Sequence, residues 1–166
     1  MGTRGINEKA HDFVGSVTAE VVEISPVPVL AIHKDITHKQ LQKRCKLAFV
    51  TNLEERDFTS YHHLLHLPEF NDKEMLFLVI SDKLDASRRE DAKQALDRYL
   101  KSEPFMLDFL DARDLLQSIL HQVTLNEIDI VIIPTHKRNL FVRLFRPSMA
   151  HQVVFNSDIA LLAIHD

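Results

Sequence analysis

The sequence is poor in several residue types that would point to particular kinds of protein. Its 166 residues include one cysteine, three glycines and no tryptophan. A single cysteine excludes an internal disulfide and a cysteine-rich zinc site. Met1–Ile6 lacks the apolar stretch of a signal peptide, and no run approaches the roughly 18 apolar residues of a membrane helix. The net charge of −4 gives no basic bias toward nucleic acid. We therefore expect a cytoplasmic globular protein that binds neither a membrane nor nucleic acid.

The cysteine has a basic neighbourhood. Lys43, Arg44 and Lys46 surround Cys45 in the sequence, and nearby positive charge lowers the pKa of a thiol and makes it reactive. A passive cysteine between two structural elements is the simpler interpretation, and it is the one we favour.

Part of the chain is a repeat of another part. Residues 2–33 align without a gap to residues 134–165, an offset of 132, with 11 identities in 32 positions. This offset is close to the length of a typical domain. The repeat therefore predicts that residues 1–34 are the C-terminal fragment of a first domain and that residues 35–166 form a complete second domain.

Strand-like and helix-like segments alternate along the second domain. The expected strands are 47–51, 75–80, 105–107, 128–133 and 159–164. The expected helices are 54–66, 83–101, a helix that Asp111 caps with Asp114 three residues on, and 148–156. Alternation of this kind predicts a three-layer α/β/α fold with a five-stranded parallel sheet. Ligands of such folds bind beyond the carboxyl ends of the strands.

The first domain fragment begins with a glycine pattern. Gly2 and Gly5 are followed by nine residues and then by Gly15 and Ser16, which open the predicted helix Val17–Ile24. Glycines let a main chain approach phosphates, and the N–H groups at a helix N-terminus form an anion site. The Ser16 hydroxyl could bond a phosphate or only cap its helix.

This pattern, with its helix and the strand-like ending Ser25–Leu30, resembles the universal stress protein family. ATP-binding members of that family carry G-x-x-G, nine residues, and then G-[ST]. The resemblance implies a strand order of 3-2-1-4-5 and a nucleotide site at Gly2, Gly5, Gly15 and Ser16. It also implies a homodimer or pseudo-dimer through the last strands, here residues 27–32 and 159–164.

The second domain departs from the family pattern at every glycine. Pro134, Lys137 and Pro147 stand at the three glycine positions. Proline has no N–H to donate, and lysine adds a side chain where close approach is needed. The remaining residues of this degenerate loop are Thr135 and Ser148, together with Asn52, which stands where the family places an aspartate. We therefore expect no ATP or other cofactor in the complete domain.

The sequence shows no Walker loop, dinucleotide fingerprint or nucleophile elbow. We therefore expect a regulatory module of the stress response rather than an enzyme. The alternative is an ATP-binding or slowly ATP-hydrolysing stress protein in which a dimer partner completes the loop from Gly2 to Ser16.

Two further clusters have a functional and a simpler interpretation. His62, His63 and His66 have a spacing that can bind zinc or nickel, but histidines on a helix surface are common, and we expect no metal. A basic stretch could bind an anion or RNA, although a basic surface that faces solvent or an acidic neighbour is the simpler explanation. This stretch consists of His136, Lys137, Arg138, Arg143 and Arg146.

Overall fold

The computed structural model describes residues 20–22, 24–32, 45–70, 73–83, 85–101, 105–134, 136 and 159–165. These residues contain six strands: β1 (Val29–Ala31), β2 (Leu47–Thr51), β3 (Met75–Ser81), β4 (Met106–Asp111), β5 (Ile130–Pro134) and β6 (Ala160–Ile164). They also contain three α-helices: α1 (Glu55–Leu65), α2 (Ala86–Leu100) and α3 (Leu115–Asn126). Short 3₁₀ turns occupy Pro68–Phe70 and Ala112–Asp114. Residues 20–22 and 24 are helical, within the helix expected before β1.

The six strands form one sheet in the order β1-β6-β5-β2-β3-β4. Strands β2 to β6 are parallel to one another. Numbered from β2, these five strands have the order 3-2-1-4-5, so the predicted α/β fold is confirmed. The sixth strand, β1, pairs antiparallel with β6, with Val29 opposite Ala163 and Ala31 opposite Leu161. This pairing brings together the two segments expected to associate, within one chain.

Successive side chains of each strand point to opposite faces of the sheet, and helices cover both faces. On one face, Val50 and Val131 lie in a cluster with Ile119 of α3. On the other face, Phe49 and Ile132 lie in a cluster with residues of α1 and α2, namely Phe58, Tyr61, Leu64, Leu96 and Leu100. Every residue of β2, β5 and β6 is buried, as expected for strands that have helices on both faces. The sheet therefore has an apolar core on each side.

The start of α3 differs from the sequence prediction. Strand β4 continues to Asp111, and α3 begins at Leu115 after the 3₁₀ turn. The Asp111 carboxylate accepts from the main-chain N–H of Arg113 at 2.9 Å, so it caps the turn rather than the helix. The Ser118 hydroxyl accepts from the Asp111 N–H at 3.0 Å, which ties the end of the strand to α3. The prediction that Asp111 caps this helix, with Asp114 three residues on, was wrong. Strand β4 extends past its apolar residues to include Asp111, so the helix begins later than expected.

The Cys45 thiol lies inside the protein, just before β2. Cys45 is 3% exposed. Burial raises the pKa of this thiol, the Asp129 carboxylate raises it further, and Lys73 acts in the opposite direction. The Lys46 ammonium is engaged elsewhere, 3.1 Å from a Glu127 carboxylate oxygen. These contacts favour the passive interpretation of the cysteine.

We predict that Cys45 reacts slowly with thiol reagents at neutral pH. A buried thiol with a raised pKa is largely protonated and inaccessible, so labelling of the native chain should be at least about tenfold slower than labelling in denaturant. Ellman's reagent measures both rates on the same sample. Equal rates in the two conditions would show that the thiol is accessible.

Candidate functional site

The sheet has a switch point between β2 and β5. These two parallel strands are neighbours, and the chain runs outward from them in opposite directions along the sheet. Their carboxyl ends are Thr51 and Pro134. Ligands of open α/β sheets bind in the crevice at such a point, so this edge is the candidate functional site.

A buried carboxylate occupies this edge. Asp57, in the first turn of α1, is 0% exposed. Its Oδ2 accepts from the Thr51 hydroxyl at 2.7 Å, from the Asn52 N–H at 2.9 Å and from the Glu54 N–H at 3.2 Å. The turn between β2 and α1 thus wraps around one carboxylate oxygen. Three donors and the N-terminal end of α1 stabilise the negative charge there.

A histidine from the neighbouring strand end faces the other carboxylate oxygen. His136 Nε2 lies 2.9 Å from Asp57 Oδ1, and the two side chains are 5% and 0% exposed. The atoms are close, but they lack the alignment of a well-directed hydrogen bond, so attraction between charges is the main component when the imidazole is protonated. Among the described residues, Nδ1 of this buried imidazole has no hydrogen-bond partner. The contact joins the segment after β5 to the first turn of α1.

The arrangement is suited to holding the strand ends together rather than to chemistry. In a nucleophile–histidine–carboxylate triad the histidine is central, whereas here Asp57 lies between Thr51 and His136. The Thr51 hydroxyl donates to the carboxylate and also accepts from the Leu53 N–H at 2.8 Å. One carboxylate oxygen of Asp57 accepts three hydrogen bonds, the other faces His136, and the residue is 0% exposed.

The turn between β2 and α1 contains a residue in the left-handed region. Leu53 has a φ of 66°, and its side chain packs against the apolar clusters on one face of the sheet. A Cβ atom disfavours this conformation, whereas glycine adopts it freely.

Leu53 offers a test of this backbone strain. Leu53→Ala and Leu53→Gly lose nearly the same packing, but only glycine relieves the left-handed strain. We expect the Gly variant to be about 0.5–1 kcal/mol more stable than the Ala variant, the reverse of the usual order. Urea unfolding of the two variants measures the difference, and an Ala variant that is the more stable of the two would contradict the assignment.

Two of the residues predicted for the site lie at this edge. Asn52 is exposed, and its Nδ2 donates to a Glu54 carboxylate oxygen at 3.2 Å. Pro134 is the buried last residue of β5 and has no N–H to offer. The other predicted residues lie outside the described part of the chain: Gly2, Gly5, Gly15, Ser16, Thr135, Lys137, Pro147 and Ser148.

The sequence analysis missed the pair at the centre of the site. Asp57 was one of many charged residues in a predicted helix, and His136 was assigned to a basic surface. His136 does face an acidic neighbour, which the simpler interpretation of the stretch allowed, but it is buried there rather than part of a surface. The other members of the basic stretch lie outside the described residues. A histidine two positions after a buried strand was the one available signal.

The histidine cluster does not form a metal site in the described residues. His62, His63 and His66 are exposed, and His63 Nδ1 lies 3.2 Å from the main-chain oxygen of His165. Within the described ranges, no three His, Cys, Asp or Glu side chains are arranged to hold a metal ion. None of the helices described is long and apolar enough to cross a membrane.

The acidic residues around β4 serve local structure. Hydrogen bonds from the Arg113 side chain and main chain lower the pKa of Asp111 to about 2. Asp108 Oδ1 accepts a hydrogen bond from the N–H of Phe109 at 2.8 Å and lies 3.7 Å from Nη2 of Arg89. These contacts explain the positions of Asp108 and Asp111, so no bound ligand is needed to explain them.

The fold and its switch point define a three-layer α/β protein with the strand order 3-2-1-4-5. The crystal structure of a universal stress protein from Archaeoglobus fulgidus DSM 4304 is similar, with a TM-score of 0.62 and 13% sequence identity. The match covers 98% of this chain and 58% of that chain, so this protein spans less than two thirds of the solved structure. At this identity the likeness shows the fold. No family model and no curated protein matches the sequence.

Proposed function

We propose that this protein is a universal stress protein-like regulatory module of the stress response and that its complete domain does not bind ATP in the manner of the family. The fold and the glycine pattern of residues 2–16 support the family resemblance. The loss of that pattern in the second domain supports the absence of ATP.

The buried pair of Asp57 and His136 is the observation that carries this proposal. It lies at the switch point, where a nucleotide would have to enter between the ends of β2 and β5. A polyphosphate would meet a buried carboxylate there and an end of β5 without an N–H at Pro134. Admitting a polyphosphate would separate His136 from Asp57 and place further negative charge beside a buried carboxylate, which is costly.

The side chain of Asn52, at the position where the family has aspartate, already takes part in a hydrogen bond. Asn52 donates its amide to Glu54 and its main-chain N–H to Asp57. Turning this side chain toward a nucleotide base would break the contact with Glu54. An amide at this position also lacks the negative charge of the aspartate it replaces.

We further propose that residues 1–34 are the closing part of a first domain of the same fold. The antiparallel pairing of β1 with β6 supports this arrangement, because it joins the last strands of two repeats. The length of the solved relative supports it as well. A match over 98% of 166 residues that covers only 58% of the other chain implies a chain of roughly 280 residues, about twice the repeat offset.

An ATP-binding stress protein remains the second candidate, since Gly2, Gly5, Gly15 and Ser16 preserve the family loop in the first repeat. In that case a dimer partner would supply the missing strand and base pocket.

Nucleotide retained by the purified protein separates the two candidates. The protein is purified without added nucleotide, denatured, and the supernatant is analysed by mass spectrometry. We expect no adenine nucleotide above the level found with a control protein purified in parallel. About one nucleotide per chain would favour the second candidate.

A further inference from the structure

The repeat allows each residue near β1 to be compared with a counterpart in the complete domain. At the offset of 132, Val27 corresponds to Ile159 and Pro28 corresponds to Ala160. Val27 is 60% exposed, whereas Ile159 is 3% exposed. Pro28 is exposed, whereas Ala160 is 0% exposed. Two equivalent apolar positions are therefore covered in one repeat and uncovered in the other.

The two counterparts lie in the two apolar cores of the complete domain. Ile159 lies in the apolar cluster that contains Ile119 and Val123 of α3. Ala160 lies in the cluster on the opposite face of the sheet, with Phe58 and Leu64 of α1. In the complete domain the two positions therefore belong to the core, one on each face of the sheet.

Three apolar residues are exposed at the start of β1. Ile24, which is 74% exposed, precedes Val27 and Pro28 within five residues of sequence. We call these three residues the β1 patch. The residue equivalent to Ile24 is Asn156, so the first repeat has an apolar side chain where the second has a polar one. Single exposed apolar residues are ordinary on protein surfaces, so it is the burial of the residues equivalent to Val27 and Pro28 in the second repeat that indicates a contact surface.

We infer that the β1 patch is the docking surface for the front part of a first domain of this fold. Helices equivalent to α3 and α1 would complete the cores around Val27 and Pro28, as the cores of the second domain enclose their counterparts. The partner is thus a strand flanked by two amphipathic helices, whose apolar stripes match those of α1 and α3. This inference rests on the domain arrangement proposed above.

The first test uses the 166-residue chain. Val27→Cys is labelled with a thiol reagent beside a matched control, Leu125→Cys. Leu125 is 62% exposed and lies before β5, at the opposite end of the sheet from Val27. Native Cys45 is 3% exposed and serves as the slow internal reference. We expect the two introduced cysteines to react at rates within about threefold of each other. Slow labelling of Val27→Cys would show that the patch is already covered and would overturn the inference.

The second test rebuilds the missing part. A copy of residues 35–133 is placed directly before Gly2, which restores the repeat offset and completes a first domain. We expect labelling of Val27→Cys to fall at least about tenfold in this extended chain, and labelling of Leu125→Cys in the original copy to be unchanged. Equal labelling of Val27→Cys in the two chains would contradict the inference.

A second version of the extended chain guards against misfolding. If the first version does not unfold cooperatively, Val27→Ile and Pro28→Ala are introduced, which reproduce the covered residues of the second domain. The cysteine probe then moves to Ile24→Cys. Protection of this probe supports the inference, whereas free labelling, or failure of both versions to fold, contradicts it. ATP titration reports on the switch point and thiol labelling reports on the β1 patch, so the two proposals can fail separately.

Discussion

Replacing Asp57 with asparagine is expected to lower the free energy of unfolding by about 3–5 kcal/mol, a large part of a typical domain's stability. The side chain is 0% exposed, and its carboxylate meets the Thr51 hydroxyl, two main-chain N–H groups and the His136 imidazole. Asparagine has the same shape but no charge. Its amide oxygen can replace Oδ2, but three donors then meet a neutral oxygen in place of a carboxylate, and the NH₂ group faces His136 where the other carboxylate oxygen was.

Urea unfolding measures this loss, and an exposed aspartate provides the control. Asp97 lies on the solvent side of α2, so Asp97→Asn should change stability by no more than about 0.5 kcal/mol. A cycle with His136→Gln separates the ion pair from the other contacts. We expect the double variant to lose less than the sum of the single variants, since they remove one shared interaction. An Asp57→Asn variant within about 1 kcal/mol of the wild type would show that the carboxylate is not buried in this way.

Replacing Phe77 with alanine is expected to cost about 3–5 kcal/mol. Phe77 lies in β3 and is 1% exposed. Its ring centroid is 5.2 Å from that of Tyr61, 5.9 Å from that of Phe49 and 6.3 Å from that of Phe105. The ring thus packs α1 against the sheet, and its removal leaves a cavity that these neighbours cannot fill.

Two matched substitutions define the size of this effect. Phe77→Leu keeps most of the volume and should cost about 1–1.5 kcal/mol. Met106→Ala, at a residue that is 49% exposed on the edge strand β4, should cost no more than about 1 kcal/mol. Thermal and urea unfolding of the three variants give the ranking. If Phe77→Ala costs no more than Met106→Ala, the aromatic cluster does not hold α1 against the sheet.

Much of the fold could be predicted because the strands are continuous apolar runs. Residues 47–51 and 159–164 read directly as buried strands, and the alternation with helices fixed the parallel sheet. The end of β4 and the start of α3 could not be placed. Asp108 and Asp111 interrupt the apolar pattern, and their role in an edge strand depends on pairing with β3.

The centre of the candidate site could not be predicted for a related reason. Asp57 and His136 are 79 positions apart in sequence, and only the neighbouring positions of β2 and β5 in the sheet bring them together. The left-handed Leu53 was equally hidden, since leucine gives no local sign of a positive φ. The sequence did show that the second repeat lacks the glycines. This observation bears on ATP binding independently of the contact between Asp57 and His136.

Our proposal that the complete domain does not bind ATP is tested most directly by isothermal titration of the wild-type chain with ATP and magnesium. Ser148→Ala and Ser16→Ala, at equivalent positions of the two repeats, are titrated beside it. We predict no saturable binding with a Kd below about 1 mM in any of the three samples. Micromolar binding by the wild type that is lost in Ser148→Ala and kept in Ser16→Ala would place the nucleotide in the complete domain and contradict the account.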